Sequence, residues 1–322
     1  MLGRALGLSA AFCAGVATAQ TPEGLDWLRK IHDATHKLSY SGTFVYQNGT
    51  RSETSRITRY VDAAGDIEKV EVMDGVPREI VRTRDTVRCY LPDSRVVKVE
   101  RQVDRAGAER GFPVLLPERI TALARYYDIA LGETQRVAGF DCRTVTLTPR
   151  DDLRYGHKLY ADVKSGMLLK AETFDAKGEL VEQFSFTQLT IGGVSRDKVK
   201  TRHLAQTWRV ENSDAAPASL GGWGLSSELP GFRKVAELKR RLGEAGAVGQ
   251  VVYSDGLAAV SVFIEPLEGR RDHPVRTGLA SVGAVHIYTR EVAKHMITVV
   301  GETPAASVQR IANAVEFHRP PQ

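Results

Sequence analysis

The sequence predicts a mainly β protein with two domains, in which an antiparallel β meander is followed by a smaller α+β domain. Between residues 136 and 189, β-rich runs alternate with short turn-forming gaps, most of which contain glycine. Such gaps join antiparallel neighbours, because a parallel return needs a crossover of about a dozen residues or more. Residues 212–222 are small, polar and rich in helix and strand breakers, which is typical of a linker. The predicted domains are therefore residues 20–211 and 223–318.

The elements of the large domain follow from turn signals and from hydrophobic spacing. A helix is predicted over residues 22–38, with Thr21 as its cap and leucine and isoleucine recurring at helical spacing. The Asn48-Gly49 pair then signals a hairpin. A short helix is predicted over residues 117–127. The predicted strands are 42–47, 54–61, 66–73, 78–83, 86–91, 95–100, 144–148, 157–163, 167–174, 180–189 and 199–210.

The small domain is predicted to mix helices and strands. Residues 230–242 have apolar side chains at helical spacing and are predicted to form an amphipathic helix. A hairpin is predicted around Ser254-Asp255-Gly256. Thr303-Pro304 is a typical helix start, with Val308 and Ile311 on the inner face of the helix that follows. Further strands are predicted at 250–253, 257–264, 281–289 and 295–300.

The first nineteen residues predict export from the cytoplasm. Arg4 precedes a short apolar run, and Ala17-Thr18-Ala19 has the pattern of small residues that a signal peptidase recognises. We expect cleavage near Ala19 and a periplasmic protein. An exported protein rarely meets nucleic acid, so the net charge of +5 does not indicate a nucleic-acid partner.

Two cysteines, Cys89 and Cys142, remain after this cleavage. An even number of cysteines in an oxidising compartment favours a disulfide, and both residues lie in β-rich runs. We therefore expect a Cys89–Cys142 disulfide. Two separate buried thiols are the alternative.

A proline-bounded apolar segment is the candidate lipid site. It lies within a predicted loop, and long loops in compact domains are often functional. The segment either packs as a loop on the core or covers an apolar cavity. Its four large apolar side chains are Phe112, Val114, Leu115 and Leu116.

A group of basic side chains on the helix predicted for residues 230–242 is the candidate partner-binding surface. A solvated helix face is the simpler interpretation, and an acidic partner or a lipid phosphate is the alternative. The candidate residues are Lys234, Lys239, Arg240 and Arg241.

The sequence contains no pattern that predicts an enzyme. It has neither a Gly-x-Ser-x-Gly elbow nor a phosphate-binding Gly-Lys-Ser/Thr loop after the leader. His32 and His36 are four residues apart, but they lack the glutamate of a zinc protease and a third ligand. Asp151 and Asp152 are adjacent and are interpreted as turn residues. We therefore expect no catalytic residue, metal or cofactor, and interpret the chain as a binding protein.

Several short motifs, in order along both domains, resemble the MucB/RseB family of periplasmic sigma-E regulatory proteins. The motifs are Met73-Asp74-Gly75 with Arg78-Glu79, Tyr126-Tyr127-Asp128, Arg136-Val137-Ala138-Gly139 with Cys142, Pro149-Arg150-Asp151 with Arg154-Tyr155, Glu182-Gln183-Phe184, Leu229-Pro230-Gly231-Phe232, Tyr253-Ser254-Asp255-Gly256 and Ile297-Thr298-Val299-Val300-Gly301-Glu302.

This resemblance implies both a fold and a role. The large domain is expected to be an unclosed antiparallel β-barrel with helices in its concavity, similar to lipoprotein carriers. The protein is expected to bind the periplasmic part of a membrane-spanning anti-sigma factor and to protect it from regulated proteolysis, with lipid or lipopolysaccharide as the releasing signal. Self-association is left open. The alternative function is a periplasmic carrier of lipoproteins or lipids.

Overall fold

The structure is a computed structural model that describes residues 22–101, 116, 120–203, 207–213, 215–241, 246–267 and 277–318. Most of these residues belong to two antiparallel sheets, one in each part of the chain. None of the helices among them is long and apolar enough to pass through a bilayer.

The large domain begins with helix α1 (Pro22–Lys37), which confirms the predicted helix. A four-residue helix, α2 (Ile120–Leu123), lies within the predicted segment 117–127. The strands are β1 (Tyr40–Asn48), β2 (Arg51–Asp62), β3 (Gly65–Val72), β4 (Glu79–Arg82), β5 (Thr86–Leu91), β6 (Val96–Arg101), β7 (Tyr127–Val137), β8 (Phe140–Pro149), β9 (Gly156–Asp162), β10 (Leu168–Phe174), β11 (Leu180–Ile191) and β12 (Arg209–Asn212).

The described strands of the large domain form one sheet in the order β12-β6-β5-β4-β3-β2-β1-β11-β10-β9-β8-β7. Consecutive strands pair side by side, with two exceptions. Strand β1 pairs with β11 and joins two meanders, and β12 pairs with β6. Strands β7 and β12 are the two edges and are not paired with each other, so the sheet is not closed. The predicted antiparallel meander and the unclosed barrel are both confirmed.

The core of this domain lies on one face of the sheet, which we call the concave face. The register places Phe44 opposite Phe186, and both belong to the same buried cluster as Leu28 and Ile31 of α1. Helix α2 contributes Leu123 to the same cluster. The helices therefore fill part of the concavity, because burial on the apolar sheet face removes both surfaces from water.

The small domain contains helix α3 (Ala305–Ala314), which follows the predicted Thr303-Pro304 start. Its main sheet has the order β13-β15-β16-β17-β20-β19-β18, and a short pair joins β14 to β21. Val308 and Ile311 of α3 are buried in the core of this sheet. The strands are β13 (Ala216–Pro217), β14 (Trp223–Leu225), β15 (Arg233–Arg241), β16 (Ala247–Ser254), β17 (Ala259–Pro266), β18 (Gly278–Val282), β19 (Val285–Val292), β20 (His295–Gly301) and β21 (Val315–Phe317).

The amphipathic helix predicted for residues 230–242 is wrong, because this segment forms strand β15. It pairs along its length with β16, from Arg233 opposite Ser254 to Arg241 opposite Ala247. Pairing with a neighbouring strand satisfies the backbone groups and overrides the short helical spacing of the apolar residues.

Other differences from the prediction concern the number and the extent of the strands. Residues 199–210 are not one strand, since a 3₁₀ turn at Arg196–Val199 is followed by the short β12, which runs parallel to β6. Strand β7 was not predicted. The predicted strand 281–289 is a hairpin of β18 and β19, which turns at Gly283 and Ala284. The predicted linker also takes part in the fold, because β13 pairs with β15.

The predicted Cys89–Cys142 disulfide is wrong in this structure, where both cysteines are free thiols. Cys89 lies on β5 and Cys142 on β8, and seven strands separate β5 from β8 in the sheet. The two cysteines are therefore not on neighbouring strands, whose spacing of about 4.8 Å would allow the Cα separation of less than about 7 Å that a disulfide needs. The two thiols are separate, as in the alternative, but only Cys142 is buried, whereas Cys89 is partly exposed.

Candidate functional site

A cavity of about 290 Å³ lies on the concave face of the large domain. Alternation along β1, β2, β3, β4, β10 and β11 brings their inward side chains together there, because every second residue of a strand faces the same side. The apolar lining is Phe44, Val70, Val72, Ile80, Ala171 and Phe184. Its size is near the lower end of the range for small-molecule pockets, about 300–1,000 Å³.

The polar lining of this cavity comes from the end of the sheet where β1 ends and β2 and β11 begin, which we call the rim. Tyr46 donates a hydrogen bond to Glu182 Oε2 at 2.6 Å, and Thr173 donates to Glu182 Oε1 at 3.2 Å. Arg78 and Glu53 form a half-exposed ion pair at 3.2 Å. Burial, followed by the Glu182 carboxylate, raises the pKa of Tyr46, so this phenol remains a neutral donor. A cavity with an apolar lining and with polar groups at one end suits an amphiphile, which has an apolar chain and a polar head.

Next to the cavity, the concave face carries a cluster of charges in which Arg59 and Glu68 are buried. Arg59 of β2 pairs with Asp66 at 2.7 Å, and Arg82 pairs with Glu68 at 3.0 Å. Burial raises the pKa of Glu68, and the two arginines oppose this shift. The cluster contains two positive and two negative side chains, so its net charge is zero. Because these charged side chains lie next to the cavity, the apolar lining is confined to the half of the sheet nearer the rim.

A second cleft, of about 420 Å³, lies against α3 in the small domain. Its lining includes serine, glutamine, arginine and asparagine side chains and only the small apolar Ala306 and Ala314. It lacks large apolar side chains, so it does not suit an acyl chain.

The two domains meet at Arg154, in the loop between β8 and β9. Its side chain is fully buried, and its Nε donates to Asp255 Oδ2 at 2.8 Å. The two remaining guanidinium nitrogens donate to the Asp151 carboxylate and to the Pro230 carbonyl. A buried charge needs such pairing and hydrogen bonding, because desolvation is costly otherwise. Asp151 is thus a partner of Arg154 and not only a turn residue.

Aromatic rings enclose the same guanidinium group. The Tyr126 ring lies 4.5 Å from the arginine Cζ, and the Phe232 ring of the small domain lies 5.1 Å from it. Gly231 lies directly against this stack with φ at +83°, and a Cβ there would be 2.5 Å from Arg154 Nη2. Glycine is needed here on both counts. We call these residues, with Asp151, Pro230 and Asp255, the Arg154 junction.

The loop of Arg154 also reaches into the core of the small domain. Leu153 is buried in that core, and its carbonyl accepts a hydrogen bond from Ser307 of α3. The carboxylate of Asp255 accepts a further bond from Tyr127 of the large domain, at 3.4 Å. The loop therefore anchors one domain in the other through both polar and apolar contacts.

The structure describes only part of the predicted lipid segment. Leu116 is buried in the large core, and its carbonyl lies 3.1 Å from His32 Nδ1. Phe112, Val114 and Leu115 lie outside the described residues. The cavity on the concave face was missed by sequence analysis, since its lining comes from six strands, of which β10 and β11 are distant in sequence from β1 to β4.

The four candidate partner-binding residues lie on β15 and not on a helix. Lys234 pairs with Glu237 at 2.6 Å, and Arg240 donates to Gln250 at 3.0 Å. Lys239 and Arg241 are exposed and two residues apart, so they share one face of the strand. The structure thus divides the predicted group between the two faces of the sheet.

His32 and His36 lie in α1 with their rings 4.3 Å apart. His36 is exposed, and its Nδ1 lies 2.7 Å from the His32 carbonyl oxygen. The described part of the chain contains no cluster of three or more side chains suited to a metal ion.

Family models match both domains. The MucB/RseB N-terminal domain model matches residues 23–208, and the MucB/RseB C-terminal domain model matches residues 217–316. The chain is 30% identical to "Sigma factor AlgU regulatory protein MucB" of Pseudomonas aeruginosa over 305 residues, which are 93% of each protein. It is 25% identical to "Sigma-E factor regulatory protein RseB" of Escherichia coli K12 over 303 residues, 92% of each.

Solved structures of the same kind cover nearly the whole chain. The structure of the Pseudomonas aeruginosa MucA/MucB complex is similar with a TM-score of 0.71 and 28% identity, over 92% of this chain and 99% of that chain. A crystal structure of MucB is similar with a TM-score of 0.67, over 92% and 99%. With both family models in order along the chain and both domains covered, the chain belongs to the MucB/RseB family.

Proposed function

We propose that this protein is a periplasmic negative regulator of an envelope-stress sigma factor. It binds the periplasmic part of a membrane-spanning anti-sigma factor and protects it from regulated proteolysis. The observation that carries this proposal is the match of both domains to MucB, whose structure is also known in complex with MucA. Arrival in the periplasm follows from residues 1–19 as a signal peptide, with cleavage near Ala19.

A protease-protection assay tests this function. The periplasmic segment of the anti-sigma factor is incubated with its initiating protease, with and without the mature protein. We expect cleavage of the segment to slow as the protein is added, whereas an unrelated periplasmic protein has no effect. An unchanged cleavage rate at saturating protein would contradict the proposal.

We further propose that the cavity on the concave face binds the acyl chain of a lipid or lipopolysaccharide, which releases the partner. Apolar lining with a few polar groups at one end is typical of ligand pockets. A ligand that binds better to a partner-free arrangement shifts the population toward it.

A filled cavity tests the lipid site. Val70→Trp places a large ring in the cavity, whereas Val81→Trp adds the same ring on the opposite face of the neighbouring strand β4. We expect Val70→Trp to lower the affinity for a fluorescent fatty acid by more than tenfold and Val81→Trp to leave it unchanged. Equal affinity of both folded variants would exclude this cavity as the site.

The same cavity supports a second candidate function, a periplasmic carrier of lipoproteins or lipids. The carrier uses the large domain for its cargo, whereas the regulator needs both domains for its partner. The Arg154 junction favours the regulator, because a buried ion pair between the domains has no role in carrying a lipid within one of them. Lipid transfer between vesicles without anti-sigma binding would favour the carrier.

A further inference from the structure

Asn48, the last residue of β1, touches both the cavity lining and the small domain. Its Nδ2 donates to Tyr46 Oη at 3.2 Å, and its Oδ1 accepts a hydrogen bond from the Ala284 amide at 3.1 Å. Both sides of one planar amide are therefore used, one on each domain. Turning this amide over would place a donor against a donor, so the two hydrogen bonds stabilise the same orientation.

The contact with the small domain is tight. Gly283 precedes Ala284 in the turn between β18 and β19 and has φ at +58°. A Cβ on Gly283 would lie 2.0 Å from Asn48 Oδ1. The turn thus rests directly on the Asn48 amide, and any side chain on Gly283 would push the two apart.

On the side of the large domain, Asn48 contacts Tyr46, which lines the cavity. Tyr46 lines the cavity and donates to Glu182, which also lines it. The bonds run from Glu182 through Tyr46 and Asn48 to Ala284 of the small domain. Glu302 of the small domain adds to the effect of burial and Glu182 in raising the pKa of Tyr46, so the small domain faces this same rim.

The Arg154 junction and the Asn48 contact, which are two of the contacts between the domains, differ greatly in strength. The Arg154 junction is a fully buried charge with three hydrogen-bond acceptors and two aromatic rings around it. The Asn48 contact consists of neutral hydrogen bonds between partly buried groups, and such bonds contribute little each. We therefore expect a perturbation of the interface to break the Asn48 contact before the Arg154 junction.

We propose that Asn48 couples the cavity to the small domain, so that a ligand whose polar head donates a hydrogen bond to Tyr46 Oη in place of Asn48 Nδ2 releases the turn at Gly283 and Ala284. The small domain then moves away from the rim about the Arg154 junction. This coupling rests on the proposed lipid-regulated function and supplies its regulation. By linkage, the ligand weakens the Asn48 contact by the same factor by which that contact weakens ligand binding.

Hydrogen–deuterium exchange of the full mature chain tests this coupling. The probe ligand is a dansyl-labelled monoacylglycerol, because its glycerol hydroxyls can donate to Tyr46 Oη. In the natural protein, we expect the probe to speed exchange of amides in residues 278–292 and most clearly of Ala284. In Asn48→Ala, exchange of this segment is already fast without the probe and does not change further. Because the contact no longer opposes the ligand, its affinity for the probe rises about fivefold.

Gly283→Ala is the second variant, since it separates the domains by steric contact and leaves Asn48 in place. It should reproduce the fast exchange of Asn48→Ala. Gly178→Ala is its matched control, because Gly178 lies in the β10–β11 turn at the same rim with φ at +80° and has no neighbouring atom within 4 Å. The control carries the same backbone strain and should behave like the natural protein.

The outcomes separate this inference from the proposed function. If the natural protein binds the probe but exchange of residues 278–292 does not change, or if Asn48→Ala responds like the natural protein, the coupling is wrong and the lipid site stands. If the natural protein does not bind the probe at all, both the lipid site and the coupling are overturned.

Discussion

At the scale of single residues, Arg154 is the side chain on which the domain arrangement depends most. Its guanidinium is fully buried and faces an Asp255 carboxylate of which about 1% is exposed. Such a pair does not make a protein more stable than apolar residues would, but it fixes which groups must meet. Here it sets the position of the small domain on the large one.

Arg154→Met tests this role. The substitution leaves Asp255 buried without its cation, so we expect the free energy of unfolding to fall by about 3–5 kcal/mol. Arg150→Met is the matched control. Arg150 lies four residues earlier and pairs with Asp128 where both side chains are nearly half exposed, so its loss should cost less than about 1 kcal/mol. Chemical denaturation of both variants measures the difference, and equal losses would contradict a structural role for the junction.

His157 predicts how stability depends on pH. Burial lowers the pKa of His157 to about 4, although the nearby Asp255 carboxylate opposes this shift. The unfolded chain binds a proton below about pH 6.5, whereas the folded protein does not until about pH 4. The contribution of neutral His157 is therefore complete above about pH 6.5 and is lost as pH falls to about 4, by up to about 3 kcal/mol.

Urea denaturation between pH 7 and 4 measures this effect. His157→Gln keeps a neutral polar group beside Thr173 but does not titrate, so its free energy of unfolding should fall less steeply in this range. An identical pH dependence in the variant and the natural protein would show that His157 titrates normally.

The sequence identified the residues of the junction without showing that they meet. Pro149 to Tyr155, Gly231 with its neighbours, and Asp255 all stand in the motifs that resemble the family. Asp255 is 101 positions from Arg154 in the chain, and hydrophobic spacing carries no information on such a contact. The cavity could not be predicted from the sequence for the same reason, because its lining depends on the order of the strands in the sheet.

At the scale of elements, β15 shows where pattern and pairing disagree. Its apolar residues recur at helical spacing, but the segment is short, and the neighbouring hairpin of β16 and β17 offers an edge to pair with. Tertiary context overrides propensity in such segments. The antiparallel strands of the large domain were predicted more closely, since their turns and their alternation indicate the same structure.

The strand also changes which basic residues act together. Lys239 and Arg241 share one exposed face, so we propose that these two, among the four candidates, contact an acidic stretch of the partner. Lys239→Glu combined with Arg241→Glu should weaken partner binding about tenfold or more at low salt, mainly through slower association. Lys164→Glu is the control, on an exposed turn at the far end of the large domain. Affinities are measured by surface plasmon resonance. Equal affinities for both variants would show that β15 is not part of the interface with the partner.

At the scale of the whole molecule, the architecture combines a sheet that is not closed with a second domain fixed at its rim. The fold class followed from the sequence, because short gaps restrict strands to antiparallel neighbours. The predicted disulfide failed at this scale, since the number of strands between Cys89 and Cys142 depends on β1 pairing with β11, which no local signal reveals. The cavity, the Asn48 contact and the Arg154 junction all lie toward the rim, where the two domains face each other.

The central claim is that one protein binds an anti-sigma factor and releases it in response to a lipid. The most direct measurement is calorimetric titration of the full mature protein with the periplasmic segment of that factor, with and without lipopolysaccharide. We predict saturable binding that becomes at least tenfold weaker when lipopolysaccharide is present. Retention of lipid without any binding of the segment would contradict the regulator and favour the carrier.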